Sequence, residues 1–392
     1  MRWRILALLF FARIGLGFQF QTLPSVGDGL VVAFGLDYAG VGLLIGLFMA
    51  PGLILALPAG YLSRLIADRE MVVLGLGALA LGGFVSSLAG GSPGVGFGRV
   101  IAGAGFLFTT LYFTKMVADW FEGREIATAM SILVMSWPFG IAMGQVGHAW
   151  LADIFDWRIP FQVASAYCLV AAVAVFAFYR APDTAGGAKT ESTTRLTRQE
   201  WRLITCAAGA WGTFNAAYVT YLTFGPKMLE TIGLSAISAA GIISVGSWLM
   251  IGSGAVCGQI VDRLGRRDLV LTLCMTCAIV ALWMLSLPGA GLAASLLFGL
   301  VGMAPAGVIM ALTGLALRTE VRAFGMGIFF TIYYAVMLAT PPVAGAIFDA
   351  TGTPQGPIWL AMALFASVAA CALAFSALKT RPEKPAQTAE SS

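Results

Sequence analysis

Twelve stretches of roughly twenty mainly apolar residues account for most of this 392-residue chain. A helix needs about 20 such residues to cross the hydrocarbon core of a bilayer, so each stretch reads as a membrane span. Spans 1 to 6 are expected at about 4–24, 39–62, 71–90, 95–117, 126–150 and 159–179. Spans 7 to 12 are expected at about 202–225, 237–260, 269–287, 291–316, 325–348 and 357–378. Composition points the same way: 59% of the residues are apolar and 11% are charged, against roughly 25% charged in an ordinary soluble domain. A water-soluble globule of this size cannot hide so much apolar surface. A soluble enzyme, a disordered chain and a disulfide-stapled domain are therefore excluded. The chain reads as an all-α, polytopic membrane protein.

Other counts limit the chemistry. Of the six cysteines, Cys168, Cys257, Cys274, Cys277 and Cys371 fall inside apolar runs and Cys206 near the start of one, so no disulfide framework is implied. Cys274 and Cys277 form a C-x-x-C inside span 9, without the βαβ setting of a redox motif. The single histidine, His148, leaves no bis-histidine haem, and neither a metal site nor another cofactor is expected. No phosphate-binding lysine loop suggests an ATP-driven pump. The net charge of +4 is spread over short loops and implies no nucleic-acid partner.

Topology accounts for that charge better. The run after Met-Arg-Trp-Arg is too long for a signal h-region and lacks a small-residue cleavage site before Pro24, so it stays as span 1. With the N-terminus in the cytoplasm, nearly all Lys and Arg of the connecting loops fall on the inner side, from Arg2 and Arg4 to Lys379, Arg381 and Lys384. The outer loops keep Arg158 and Lys227. This asymmetry follows the positive-inside rule and puts both termini in the cytoplasm. Residues 1–180 then form one six-span bundle, 181–201 a polar cytoplasmic linker, 202–378 a second bundle and 379–392 a disordered tail.

The halves repeat. Shifted by about 198 residues, Arg4 meets Arg202, and Gly60–Arg69 meets Gly258–Arg267 after spans 2 and 8. Two parallel six-span repeats joined by a cytoplasmic linker are a transporter architecture. Gly258-x-x-x-Asp262-Arg-x-Gly-Arg266-Arg267 resembles the signature loop of the major facilitator superfamily, and Arg99-Val-Ile-Ala-Gly103-Ala-Gly105 resembles its span 4 motif. Segments 114–125 and 136–140 resemble the cyanate and nitroimidazole permease-related branch. The first repeat departs from the pattern: Arg64 stands where Asp is usual, and Asp68 where Arg is usual. The i, i+4 spacing still permits a pair across one helical turn. The resemblance implies that spans 1, 4, 7 and 10 line a central cavity. It also implies that Arg64, Asp68, Arg124, Asp262, Arg266 and Arg322 form a cytoplasmic gate.

An ionisable residue deep in a membrane helix costs roughly 2.5–3.5 kcal/mol on insertion scales, so each needs a reason. Arg13, Arg99 and His148 are of this kind, and Lys115 is expected to snorkel to the inner surface. Every carboxylate falls at a span end, in a loop or in the tail, so the interior has cations without matching anions. Arg13 lies nine residues beyond Arg4, about 13 Å along a helix and near the midplane. Gly17 and Gln21 continue its stripe. A guanidinium there reads as a clamp for a carboxylate-like group, and the competing reading is a structural Arg on backbone carbonyls. Arg99 is open to both readings, with Thr110 near its face. His148 reads more readily as an interfacial hydrogen-bonded residue than as a proton carrier. Asn215 and Tyr218 of span 7 are expected to face Arg13 across the pseudo-two-fold axis, with Tyr333 of span 11 beside them.

The expectation is a secondary transporter in the cytoplasmic membrane, working as a monomer and moving a small anionic solute by rocker-switch alternating access. Lacking a buried acid, it would use anion exchange or a proton shared by solute and Arg/His groups. The alternative is an exporter of lipophilic compounds with the same fold, which the 16 methionines and the aromatic content would permit.

Overall fold

The computed structural model describes residues 1–62, 66–121, 125–182 and 196–379. Among these residues the secondary structure is helical, without strands. Span 1 is Arg2–Phe34, and span 2 is Tyr38–Leu47 followed by Ala50–Leu62. Spans 3 to 6 are Asp68–Ser87, Ser92–Phe121, Ile126–Ile154 and Arg158–Phe178. Spans 7, 8 and 9 are Arg198–Glu230, Ala236–Leu264 and Arg267–Met284. Span 10 has three parts: Gly291–Leu297, a π-helical turn over Phe298–Gly302, and Ala306–Ala316. Spans 11 and 12 are Arg322–Thr351 and Gln355–Lys379. Most of the expected linker and tail, with Arg64 and Arg124, lie outside the described residues.

Eleven of these helices are long and apolar enough to cross a membrane. Span 7 has the length, but Thr213, Asn215, Tyr218, Thr220 and Tyr221 dilute its apolar content. It is also largely enclosed by protein, with Ala207, Ala208, Ala210 and Ala217 completely buried. Helices that line a polar pathway do not have to be apolar all round.

Spans 1 and 7 run past the ends expected for them. Pro24 and Pro226 each remove one N–H from the helix, which is locally tolerable where neighbours satisfy the freed carbonyl. Span 1 therefore continues to Phe34 and span 7 to Glu230. The extra turns carry Asp28 and Lys227, which otherwise read as loop charges.

The first six spans pack into one bundle and the last six into another. The bundles meet along span 2 against span 11 and span 5 against span 8. Glycines set the spacing, because without a Cβ two backbones can approach closely. In the first bundle a Cβ on Gly17 would run into the Trp137 carbonyl, and one on Gly140 into that of Ile14. Between the bundles, a Cβ on Gly42 would meet the Pro341 carbonyl, and one on Gly345 would meet that of Tyr38. A third small-residue contact brings Gly46 against the Leu338 carbonyl. Span 2 and span 11 are thus in backbone contact toward the face opposite the termini.

These contacts set a prediction. Gly140→Val forces spans 1 and 5 apart and should lower stability by about 1–3 kcal/mol, the usual range for overpacking. Gly77→Ala meets nothing within 4 Å and should melt with the wild type. Thermal unfolding in detergent checks both, and an unchanged melting point for Gly140→Val would contradict the packing described.

Candidate functional site

The cation at residue 13 has a specific neighbour. Pro138 in span 5 has no N–H, so the carbonyl of Val134 lacks its helical donor. Arg13 Nη1 donates to the carbonyls of Leu133 (2.9 Å) and Val134 (3.4 Å) and to Ser136 Oγ (3.0 Å). Ser136 itself donates to the Leu133 carbonyl, at 2.6 Å. The guanidinium is buried, and its Nε makes no hydrogen bond. Trp137, next along, packs against the apolar cores of both bundles. Arg13 is therefore at the level where the bundles meet, held by one nitrogen and unsatisfied at another.

The rest of its stripe also faces span 5. Gly17 abuts the Trp137 carbonyl, and Gln21 Nε2 donates to Gln145 Oε1 at 2.5 Å. His148 is fully buried rather than interfacial. Its Nε2 bonds to the Phe18 carbonyl at 2.9 Å, and its ring lies 4.2 Å from that of Phe18. A carbonyl only accepts, so Nε2 carries the proton and Nδ1 is left without a partner.

Arg99 is clamped between spans 1, 2 and 4. Span 2 breaks after Leu47, and the Phe48 N–H turns to the Ile45 carbonyl (3.4 Å) instead of that of Leu44. Arg99 Nε donates to the Leu44 carbonyl at 3.4 Å, and Nη1 to that of Gln19 at 3.3 Å. Its guanidinium stands 4.4 Å from the Phe48 ring centre, a cation–π distance. The side chain of Thr110, about three turns further along the same face of span 4, has its hydroxyl buried without a partner.

The second bundle contributes differently from expectation. Tyr218 is buried within its own bundle, its hydroxyl 2.6 Å from Ser247 Oγ of span 8. Tyr221 donates to the Ile243 carbonyl at 3.1 Å and stacks on Phe298 in the π turn of span 10. Asn215 is half-buried and donates to the Trp211 carbonyl of its own helix, at 2.8 Å. Tyr333 lies 6.5 Å from the Trp211 ring, and both pack against the core that is mostly of the first bundle. Trp211 and Tyr333 thus reach the core of the first bundle, while Asn215 is bonded within its own span.

Sequence reasoning missed a four-residue seal at the face opposite the termini. Lys227 of span 7 forms an ion pair with Asp28 of span 1. The Tyr38 hydroxyl accepts from Lys227 (3.0 Å) and donates to Asp28 (2.7 Å). Asp349 of span 11 accepts from the N–H groups of Tyr38 (3.0 Å) and Ala39 (2.8 Å), capping span 2 from the other bundle. A carboxylate is favoured there by the unpaired amides and the helix dipole. Directly beneath, Tyr38, Gly42, Thr220 and Pro341 line an empty space of about 10 Å³.

On the termini face the signature loops are less engaged. Asp262, Arg266 and Arg322 are exposed and make no ion pair among the described residues. Asp68 pairs with Lys115 of span 4 at 2.6 Å. Lys115 therefore reaches the surface as expected, but toward a partner. The inverted charge at residue 68 is answered by a cation on the neighbouring helix.

Twelve spans in two bundles, with polar side chains gathered along the seam, define a membrane transporter. Comparison with known proteins specifies it further: the Major Facilitator Superfamily profile matches residues 6–335, and the chain belongs to that family of solute transporters. It is 27% identical over 348 residues to the hexuronate transporter of Bacillus subtilis strain 168, covering 79% of this chain and 78% of that one. Solved structures of the same fold include a bacterial homologue of the lysosomal transporter Spinster, inward-facing and unoccupied. That structure has a TM-score of 0.72 at 15% identity, over 96% of this chain and 97% of the other. A D-xylose–proton symporter has a TM-score of 0.72 at 15% identity, over 94% and 96%.

The Asp68–Lys115 pair is directly testable. Asp68→Lys should lower stability, and the added Lys115→Asp should restore it. A coupling of about 0.5–1 kcal/mol is expected for a half-exposed pair. Additive effects of the two changes in a double-mutant thermal-unfolding cycle would show that the contact contributes nothing.

Proposed function

We propose that this protein moves a small organic anion across the cytoplasmic membrane by alternating access, as a monomer with both termini in the cytoplasm. Arg13 carries the reading. It is a buried cation for which the spans offer no carboxylate: among the described residues their buried polar groups include Arg13, Arg99 and His148 but no Asp or Glu within the membrane. Glu200, also buried, sits at the start of span 7 and is paired with Arg318 at 2.8 Å. A solute carboxylate would supply the missing counter-charge and accept from the unbonded Nε. Trp211, Asn215 and Tyr333 would orient the remainder of the solute through ring faces and hydrogen bonds.

The relative named as a hexuronate transporter supports a sugar acid as the solute class. A hexuronate has one carboxylate and several hydroxyls, which suits one guanidinium with amide and phenol groups nearby. Arg13 and Gln21 do not serve the same small molecule in this reading. Eight residues separate them, about 12 Å along the helix, and each is bonded to a different turn of span 5.

The seal supports alternating access. Asp28, Tyr38, Lys227 and Asp349 join the bundles opposite the termini, whereas Asp262, Arg266 and Arg322 make no ion pair among the described residues on the other face. With the termini cytoplasmic, the closed seal lies on the outer face. Opening to the outside exchanges one set of contacts for the other. Without an acid buried in the middle of the spans, exchange of anions or a proton carried with the solute fits the interior better than a dedicated carboxylate relay.

The test is uptake of labelled glucuronate and, in parallel, glucose by proteoliposomes. Glucuronate should be taken up and glucose should not. Arg13→Gln should raise the KM for glucuronate at least tenfold, about 1.4 kcal/mol, because a charge-assisted bond is lost. An unchanged KM would refute the clamp, and equal uptake of glucose would refute the anionic solute.

A further inference from the structure

We infer that Gln145 is a positioning residue of the transport cycle, linking closure of the face opposite the termini to the side chain of Gln21. The inference rests on the alternating-access reading. It begins with Pro226, whose missing N–H leaves the Leu222 carbonyl of span 7 without a helical donor. Gln145 Nε2 donates to that carbonyl at 3.2 Å, across from the first bundle to the second. The carbonyl only accepts, so the amide orientation of Gln145 is fixed, and its Oε1 must turn toward span 1. There it accepts from Gln21 Nε2, which also donates to Ser25 Oγ at 3.1 Å. Gln21 Oε1 is left buried without a donor.

The chain therefore has a direction: Leu222 orients Gln145, and Gln145 orients Gln21. Gly144 makes room for it, since a Cβ there would stand 2.9 Å from Gln21 Cβ and 3.0 Å from His148 Cδ2. Gln145 and Gln21 are almost completely buried, where an unmade hydrogen bond is costly. When the bundles separate at this face, the Gln145–Leu222 bond breaks, both groups lose their partner, and the orientation of Gln21 is released. The bond thus favours the closed state and switches the polarity of span 1 with it.

The experiment measures distances between spin labels at Phe155→Cys and Thr353→Cys, one per bundle on that face, in the full chain with native cysteines replaced. Lys227→Ala, which breaks the seal, serves as a control and should populate a longer distance. Gln145→Leu should raise the open-to-closed ratio about tenfold while leaving the KM for glucuronate within twofold. Pro226→Ala keeps Gln145 but gives Leu222 a helical donor that competes for its carbonyl. It should shift the ratio the same way, and the double variant should shift it no further than Gln145→Leu.

If Lys227→Ala shifts the distance and neither Gln145→Leu nor Pro226→Ala does, the inference is overturned and alternating access stands. A raised KM with an unmoved distance distribution would also overturn it, making Gln145 a solute contact. A single distance in every variant, with and without glucuronate, would overturn alternating access and this inference together.

Discussion

Inside a bilayer, a backbone carbonyl without a donor has no water to turn to, and the interior of this protein is organised around such carbonyls. Pro138 frees the carbonyl of Val134, and Arg13 is bonded there. Pro226 frees that of Leu222, and Gln145 is bonded there. The break in span 2 turns the Phe48 amide away from Leu44, and Arg99 takes its place. Each of these three irregularities becomes an acceptor for a side chain from another span. The glycine contacts of spans 1 and 5 bring the backbones close enough for short reaches to succeed. Arg13 and Arg99 can then be buried as cations with neutral oxygen acceptors, leaving unsatisfied N–H groups for something else.

How much of this was legible in the sequence depends on the kind of signal. Span number and the two-bundle repeat rest on runs of about twenty residues, a constraint too strong to be mimicked by chance. Span ends were less legible, because Pro24 reads as a stop although a membrane helix continues through it. That one misreading hid Asp28 in a loop, and with it the partner of Lys227. The exchange of charge at Arg64 and Asp68 is visible in the sequence, but Lys115 lies 47 residues from Asp68 and only packing of spans 3 and 4 joins them.

Helix faces were the least legible. Span 7 is buried nearly all round, so periodicity does not say whether Tyr218 points at the cavity or at span 8. The structure gives it to Ser247 of span 8. Ser136 and Gln145 were present in the sequence without distinction, yet a rule would have found their surroundings: the residue four before an intrahelical proline offers a free carbonyl. Applied to Pro138 and Pro226, it points to Val134 and Leu222, where Arg13 and Gln145 dock.

The account stands on Arg13 as the counter-charge of an anionic solute. The most direct test is a thermal-shift series on the purified wild-type protein with sugar acids, the matching uncharged sugars and lipophilic cations. A ligand that binds the folded state raises the melting point by mass action. Stabilisation by sugar acids and not by their uncharged counterparts is the predicted result. Stabilisation by the uncharged sugars to the same degree, or by lipophilic compounds alone, would contradict it and leave Arg13 as a structural link between spans 1 and 5.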